Sequence, residues 1–119
     1  MRYMLLLNGE EPTTTPSEAE MNAEMAEWGA YDTAVHEAGI FVSSEALQPS
    51  QTATTVRLKD QERIVTDGPF VETREVLGGF YVIDVPDLDT ALDWAAKCPA
   101  AKNGSVEIRP VLVFDEPEQ

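Results

Sequence analysis

The sequence predicts an α+β fold, with one antiparallel sheet and both helices on one of its faces. Three observations predict it. Two stretches repeat apolar residues every three or four positions, one before Gly39 and one before Pro99, the period of a helix buried along one side. The other apolar or β-branched stretches run for five to ten residues between Gly, Pro, Asn and Asp, as strands do. Their order is strand, long helix, strand, hairpin, strand, helix, strand. Two strand–helix–strand units sharing one sheet make a ferredoxin-like sandwich.

Residues 3–8 are apolar without alternation, which suits a strand covered on both faces. Asn8-Gly9 and Glu10-Glu11-Pro12 end it. Thr15 can cap the first helix, Pro16 fits its first position, and Glu18 completes a capping box. Met21, Met25, Trp28, Tyr31, Val35 and Ala38 then form one face over about five turns, and Gly39 ends the helix. Gly29 sits inside it at a cost of about 1 kcal/mol relative to Ala, which a close backbone contact would explain.

Residues 40–47 form an alternating strand, and 48–51 a loop. Residues 54–59 and 62–66 are β-branched segments around Asp60-Gln61, a hairpin whose tip lacks the glycine that a primed turn prefers. Residues 76–85 are the most apolar strand, in which Gly78-Gly79 mark a bulge or a close approach. A second helix begins at Asp87 or Asp89, carries Leu88, Leu92, Ala95 and Ala96 on one face, and ends at Pro99. Asn103-Gly104 turns the chain into a last strand over 105–114, placed at an edge or bulge by Pro110. Residues 115–119 read as a frayed acidic tail.

All 119 residues fit one domain with one core. Residues 3–8 and 76–85 carry large apolar groups on both sides, so helices on one face leave the other bare. Such a patch is rare on a monomer, and a second copy related by two-fold symmetry is its simplest cover. A homodimer is therefore expected.

The chain has 22 acidic and 8 basic residues, a net charge of −14. It has no cationic footprint with which to displace counterions from nucleic acid or to meet an anionic membrane. Cys98 is the single cysteine, so no intrachain disulfide forms. It sits at a helix end between Lys97 and Pro99 and reads as structural. The N-terminal apolar run is too short for a signal peptide, and no run has transmembrane length. A cytoplasmic protein is expected.

Asp67-Gly68-Pro69-Phe70-Val71-Glu72-Thr73-Arg74-Glu75 resembles the signature of the DGPF-motif branch of the YCII-related family. Met1-Arg2-Tyr3-Met4-Leu5-Leu6, Glu45-Ala46-Leu47-Gln48-Pro49, Thr52-Ala53-Thr54-Thr55-Val56-Arg57, Leu77-Gly78-Gly79-Phe80-Tyr81, Asp87-Leu88-Asp89 and Glu107-Ile108-Arg109-Pro110 extend the resemblance over nearly the whole chain. It implies a dimeric α/β barrel built from the ferredoxin-like unit. It implies no settled activity, although some members resemble accessory parts of alternative sigma-factor systems. The better-known YCII branch is thought to use a His–Asp pair near the first helix. The single histidine here, His36, lies near that helix's C-terminal end, and the role is not carried over to it.

The charged turn holds the main chemical candidates. Asp67 is either a turn residue accepting backbone amides or a general acid or base beside a pocket. In an extended segment Glu72 and Arg74 share a face. They form either a surface ion pair or a second proton-transfer or orienting group (Glu72) with an anion clamp (Arg74). Glu45 and Arg57 stand in strands, where each either lines a cleft or faces solvent. Tyr3, Tyr81 and Trp28 read first as core residues, and Tyr81 doubles as a ligand-binding candidate. The functional expectation is a small-molecule pocket between sheet and helices, with any chemistry of the cofactor-free acid–base kind. The alternative is a non-catalytic regulatory module that docks a protein partner through its acidic surface or a sheet edge. No cofactor is expected. An all-carboxylate metal site from Asp67, Glu72 and Glu45 has little to support it.

Overall fold

The computed structural model describes residues 1–69 and 74–114. Its elements, in order, are β1 (Arg2–Gly9), α1 (Glu18–Glu37), β2 (Phe41–Ala46), a 3₁₀ turn (Ser50–Thr52), β3 (Thr54–Lys59), β4 (Glu62–Asp67), β5 (Val76–Asp84), α2 (Leu88–Lys97), α3 (Pro99–Asn103) and β6 (Ser105–Pro110). The main sheet runs β2-β5-β1-β6 with every neighbouring pair antiparallel. This is an α+β fold consistent with the ferredoxin-like order of strands. β3 and β4 form a separate two-stranded ribbon.

Register divides the sheet into two unlike faces. Tyr3, Leu5 and Leu7 of β1 pair with Ile83, Tyr81 and Gly79 of β5. On that face they join Tyr31 and Val35 of α1 and Ala91 and Ala95 of α2 in one buried cluster. Leu5 and Ile83 are fully buried, each contributing about 1.5–3 kcal/mol. Met4 and Leu6 pair with Val82 and Phe80 on the opposite face, where Met4, Leu6 and Phe80 are half-buried.

Several local expectations change in the folded chain. The cap of α1 is Ser17, which accepts from the Glu20 amide at 3.1 Å and donates to its carboxylate. The Ser-x-x-Glu spacing of Ser17 and Glu20 thus displaces the Thr15–Glu18 box. The long apolar face of α1 is only partly used. Tyr31 and Val35 are buried and Trp28 packs against the core, but Met21, Met25 and Ala38 are exposed. At about 1.5 Å per residue, the 20-residue helix is about 30 Å long, and it buries Tyr31 and Val35 from its second half but no residue from its first. In α2 the buried side is Ala91 and Ala95, while Leu88 and Leu92 are exposed. Small residues there let the helix lie close to the sheet, with the leucines at its margin. Pro99 does not merely end α2 but occupies the first turn of α3.

Glycines explain three junctions. Gly39, at φ +72°, follows the C-cap of α1 as expected. At Gly78 the β1–β5 register slips, with Leu7 opposite Gly79 and Asn8 opposite Leu77. A Cβ on Gly79 would lie 2.6 Å from the Glu45 carbonyl oxygen. The glycine pair thus combines a bulge with a close approach. Gly29 has no such reason, because an added Cβ meets nothing within 4 Å.

The ribbon has the expected boundaries, with β4 one residue longer. Its tip, Asp60 and Gln61, adopts φ +51° and +69°, as a type I′ turn requires, without glycine. Val56, Leu58, Ile64 and Val65 are all exposed. The projecting ribbon helps give a radius of gyration of 17.1 Å, against roughly 13–14 Å for a compact chain of this length. β6 ends at Pro110 on the sheet edge, short of the expected 114. Residues 115–119, expected as a tail, lie outside the described residues.

Candidate functional site

The first half of α1 borders a concavity. Between it and the sheet lies a cleft of about 610 Å³, within the usual size of small-molecule sites. Leu7, Ser44, Ala46, Gly79 and Tyr81 provide sheet residues to its lining, and Trp28 and Glu24 come from α1. Pro12, with Glu10 and Glu11, closes one end, and Leu47 and Pro49 another. The glycine pair shapes it, since a Cβ on Gly79 would force β5 away from β2.

The rim is acidic. The Glu11 carboxylate accepts from both the Ser50 amide (2.7 Å) and the Ser50 hydroxyl, and these bonds lower its pKa. The Glu10 carboxylate accepts from the Arg74 guanidinium. Glu24 lies one turn before Trp28 on the same side of α1.

The candidates from the sequence are dispersed. Tyr81 is 7% exposed and lines the cleft, as does Glu45 on edge strand β2. Arg74 reaches the rim through Glu10. Asp67 ends β4 opposite Thr54 and lines an adjoining hollow of about 430 Å³ with Glu11, Ser50, Pro69 and Val76. Its turn is held by other groups: Gly68, at φ +101°, donates its amide to the Ala53 carbonyl at 2.7 Å, and Thr55 donates to the Gly68 carbonyl at 2.9 Å. Arg57 stands on the ribbon opposite Ile64. Glu72 lies outside the described residues. Among the described residues, no cluster of three or more His, Cys, Asp or Glu is placed to hold a metal.

Sequence reasoning passed over one polar chain. The Tyr81 hydroxyl donates to Asp32 Oδ1 at 2.8 Å. His36 Nδ1 lies 2.8 Å from the Asp32 carbonyl oxygen and 3.4 Å from Asp32 Oδ2. A carbonyl only accepts, so Nδ1 carries the hydrogen and Nε2 is the acceptor of the neutral ring. The ring stacks on Phe41 at 4.0 Å. The i,i+4 spacing of Asp32 and His36 was the available signal. Both side chains are about half exposed, so the pair itself adds little stability. Burial comes first in raising the Tyr81 pKa, followed by the Asp32 bond and charge.

Comparison with known proteins decides the family: the YCII-related domain matches residues 1–115. The chain belongs to the YCII-related family. This YCII-related chain is also similar to an uncharacterized protein of Rhizobium meliloti (strain 1021), with 39% identity over 113 residues, covering 93% of this chain and 91% of that protein. Among its described residues, no helix is long and apolar enough to cross a membrane.

Proposed function

We propose that this YCII-related protein, of the DGPF-motif branch, binds a small, largely apolar molecule in the cleft between α1 and the sheet. The observation that carries the reading is the cleft itself. It is apolar along its floor, polar at its rim, and formed between the first half of α1 and the sheet. The proposal is one of binding, not turnover, because Asp67 lies in the adjoining hollow. Amide chemical shifts on titration with a mixture of small apolar compounds test it. Leu7, Ala46, Leu47 and Leu77 should move while the ribbon stays still, and movement confined to the ribbon would contradict it.

The active unit in this reading is a cytoplasmic homodimer with the dimeric-barrel arrangement. Met4, Leu6 and Phe80 support it, as large side chains left half-exposed on the face opposite the helices. Sedimentation at micromolar concentration should give twice the chain mass. A concentration-independent mass of one chain would exclude it.

A second reading, a regulatory module that docks a protein partner, draws on the ribbon. Its exposed Val56, Leu58, Ile64 and Val65 make a strand pair that pairs with no other strand among the described residues. A link to alternative sigma-factor systems belongs to this reading. Replacing Val56 and Val65 by Thr should abolish partner capture here, and leave ligand binding intact under the first.

A further inference from the structure

We propose that the ligand of the α1–sheet cleft is an apolar cation, an alkyl or aryl ammonium, seated with its charge between Glu24 and the Trp28 ring. The inference rests on the binding role proposed for this cleft and names its ligand class.

The argument begins with charge. Glu10, Glu11, Glu24 and Glu45 line the cleft, and no Lys, Arg or His is among the described residues lining it. The guanidinium that reaches the rim, Arg74, is bonded to Glu10. An anion entering would meet three carboxylates without a cation beside them, Glu11, Glu24 and Glu45, and a guanidinium already engaged. Glu11 is fixed by Ser50 in its ionised form, which accepts both bonds.

Position then selects the cation. Glu24 and Trp28 are four residues apart on α1, which places them on one face, a helical turn from each other. Both line the same cleft. An ammonium there meets a carboxylate and an indole together, and an indole is the strongest aromatic partner for a cation. The floor of Leu7, Ala46 and Tyr81 takes an apolar body. A carboxylic acid of the same shape gains the floor but loses both charge contacts.

Three probes of one skeleton separate the outcomes: phenylpropylammonium, phenylpropanol and phenylpropionate. Each is titrated into the full chain at about 0.15 M salt, where bulk attraction to a net charge of −14 is damped. Tryptophan fluorescence is read in wild type, Trp28→Phe and Glu24→Gln. The ammonium should bind about tenfold more tightly than the alcohol, and the carboxylate more weakly than either. Trp28→Phe should remove the saturable signal. Glu24→Gln should bring the ammonium to within about threefold of the alcohol while the alcohol's Kd stays unchanged. An ammonium no tighter than the alcohol, or a preference that Glu24→Gln leaves intact, overturns the cation inference and leaves the binding role standing. Failure of all three probes to saturate overturns the binding role and the inference with it.

Discussion

The Tyr81 hydroxyl on β5 donates a 2.8 Å hydrogen bond to Asp32 Oδ1 on α1, tying the central sheet to the helix that overhangs the cleft. The Tyr81 ring also meets Tyr31 edge-on, with centroids 5.3 Å apart. Tyr81→Phe keeps that packing and removes only the bond. A hydrogen bond to a charged group is worth roughly 1.5–3 kcal/mol, and the half-exposed Asp32 carboxylate brings the expected loss to about 1 kcal/mol. Urea unfolding should show a lower midpoint with an unchanged slope.

Three glycine substitutions should move stability in opposite directions. Gly29→Ala should add about 1 kcal/mol, because the helix gains propensity and a Cβ there meets nothing within 4 Å. Gly79→Ala and Gly104→Ala should destabilise strongly. Their Cβ atoms would lie 2.6 Å from the Glu45 carbonyl oxygen and 2.1 Å from that of Asn8, and backbone must shift to make room. Thermal unfolding of the three variants checks the signs.

Alkaline pH should unfold the protein early. Burial raises the pKa of Cys98, Tyr31 and Tyr81 above their ordinary values of 9.0, 10.0 and 10.0. As pH rises past about 9, the unfolded chain releases protons that the folded chain keeps. Stability is therefore full below that pH and declines above it. Cys98→Ala should delay the onset to the tyrosine range. A stability profile flat between neutrality and pH 11 would contradict the burial of these groups.

The ribbon should open independently of the body. Among the described residues β3 and β4 pair only with each other, and an isolated two-stranded ribbon is marginal in water. Amides of Val56 and Val65 should exchange faster than those of Leu5 and Ile83. Replacing Asp60-Gln61 by Asn-Gly relieves the left-handed Gln61 by roughly 1–2 kcal/mol and should slow ribbon exchange, with little change in the global midpoint.

The order of elements was legible because apolar period and punctuation are local. Residues 54–59 and 76–85 show their strands in their own composition, and Gly39 marks its cap. The burial of α1 was not legible. Met21 and Met25 continue the apolar period of Tyr31 and Val35, yet they stay exposed, and only the tertiary packing decides which part of the stripe is covered. In α2 the buried side followed closeness of approach, through Ala91 and Ala95, rather than the size of Leu88 and Leu92. The charged turn drew attention to Asp67 and Arg74 by density of charge. The cleft is lined instead by Glu24 and Trp28, whose spacing reads as ordinary helix until the cleft beside them is known. Asp32–His36 was readable from its i,i+4 spacing. Its link to Tyr81 spans 49 residues, and the order of strands and helices alone makes it.

Ligand binding in the α1–sheet cleft is tested most directly by thermal shift against a small-molecule library, with wild type and Ser44→Trp side by side. Ser44 lies on the cleft floor opposite Tyr81, so an indole there fills the space. A compound at 100 times its Kd should stabilise the wild type by about 2.7 kcal/mol and leave Ser44→Trp unmoved. Equal stabilisation of both proteins, or none of the wild type by any compound, would contradict it.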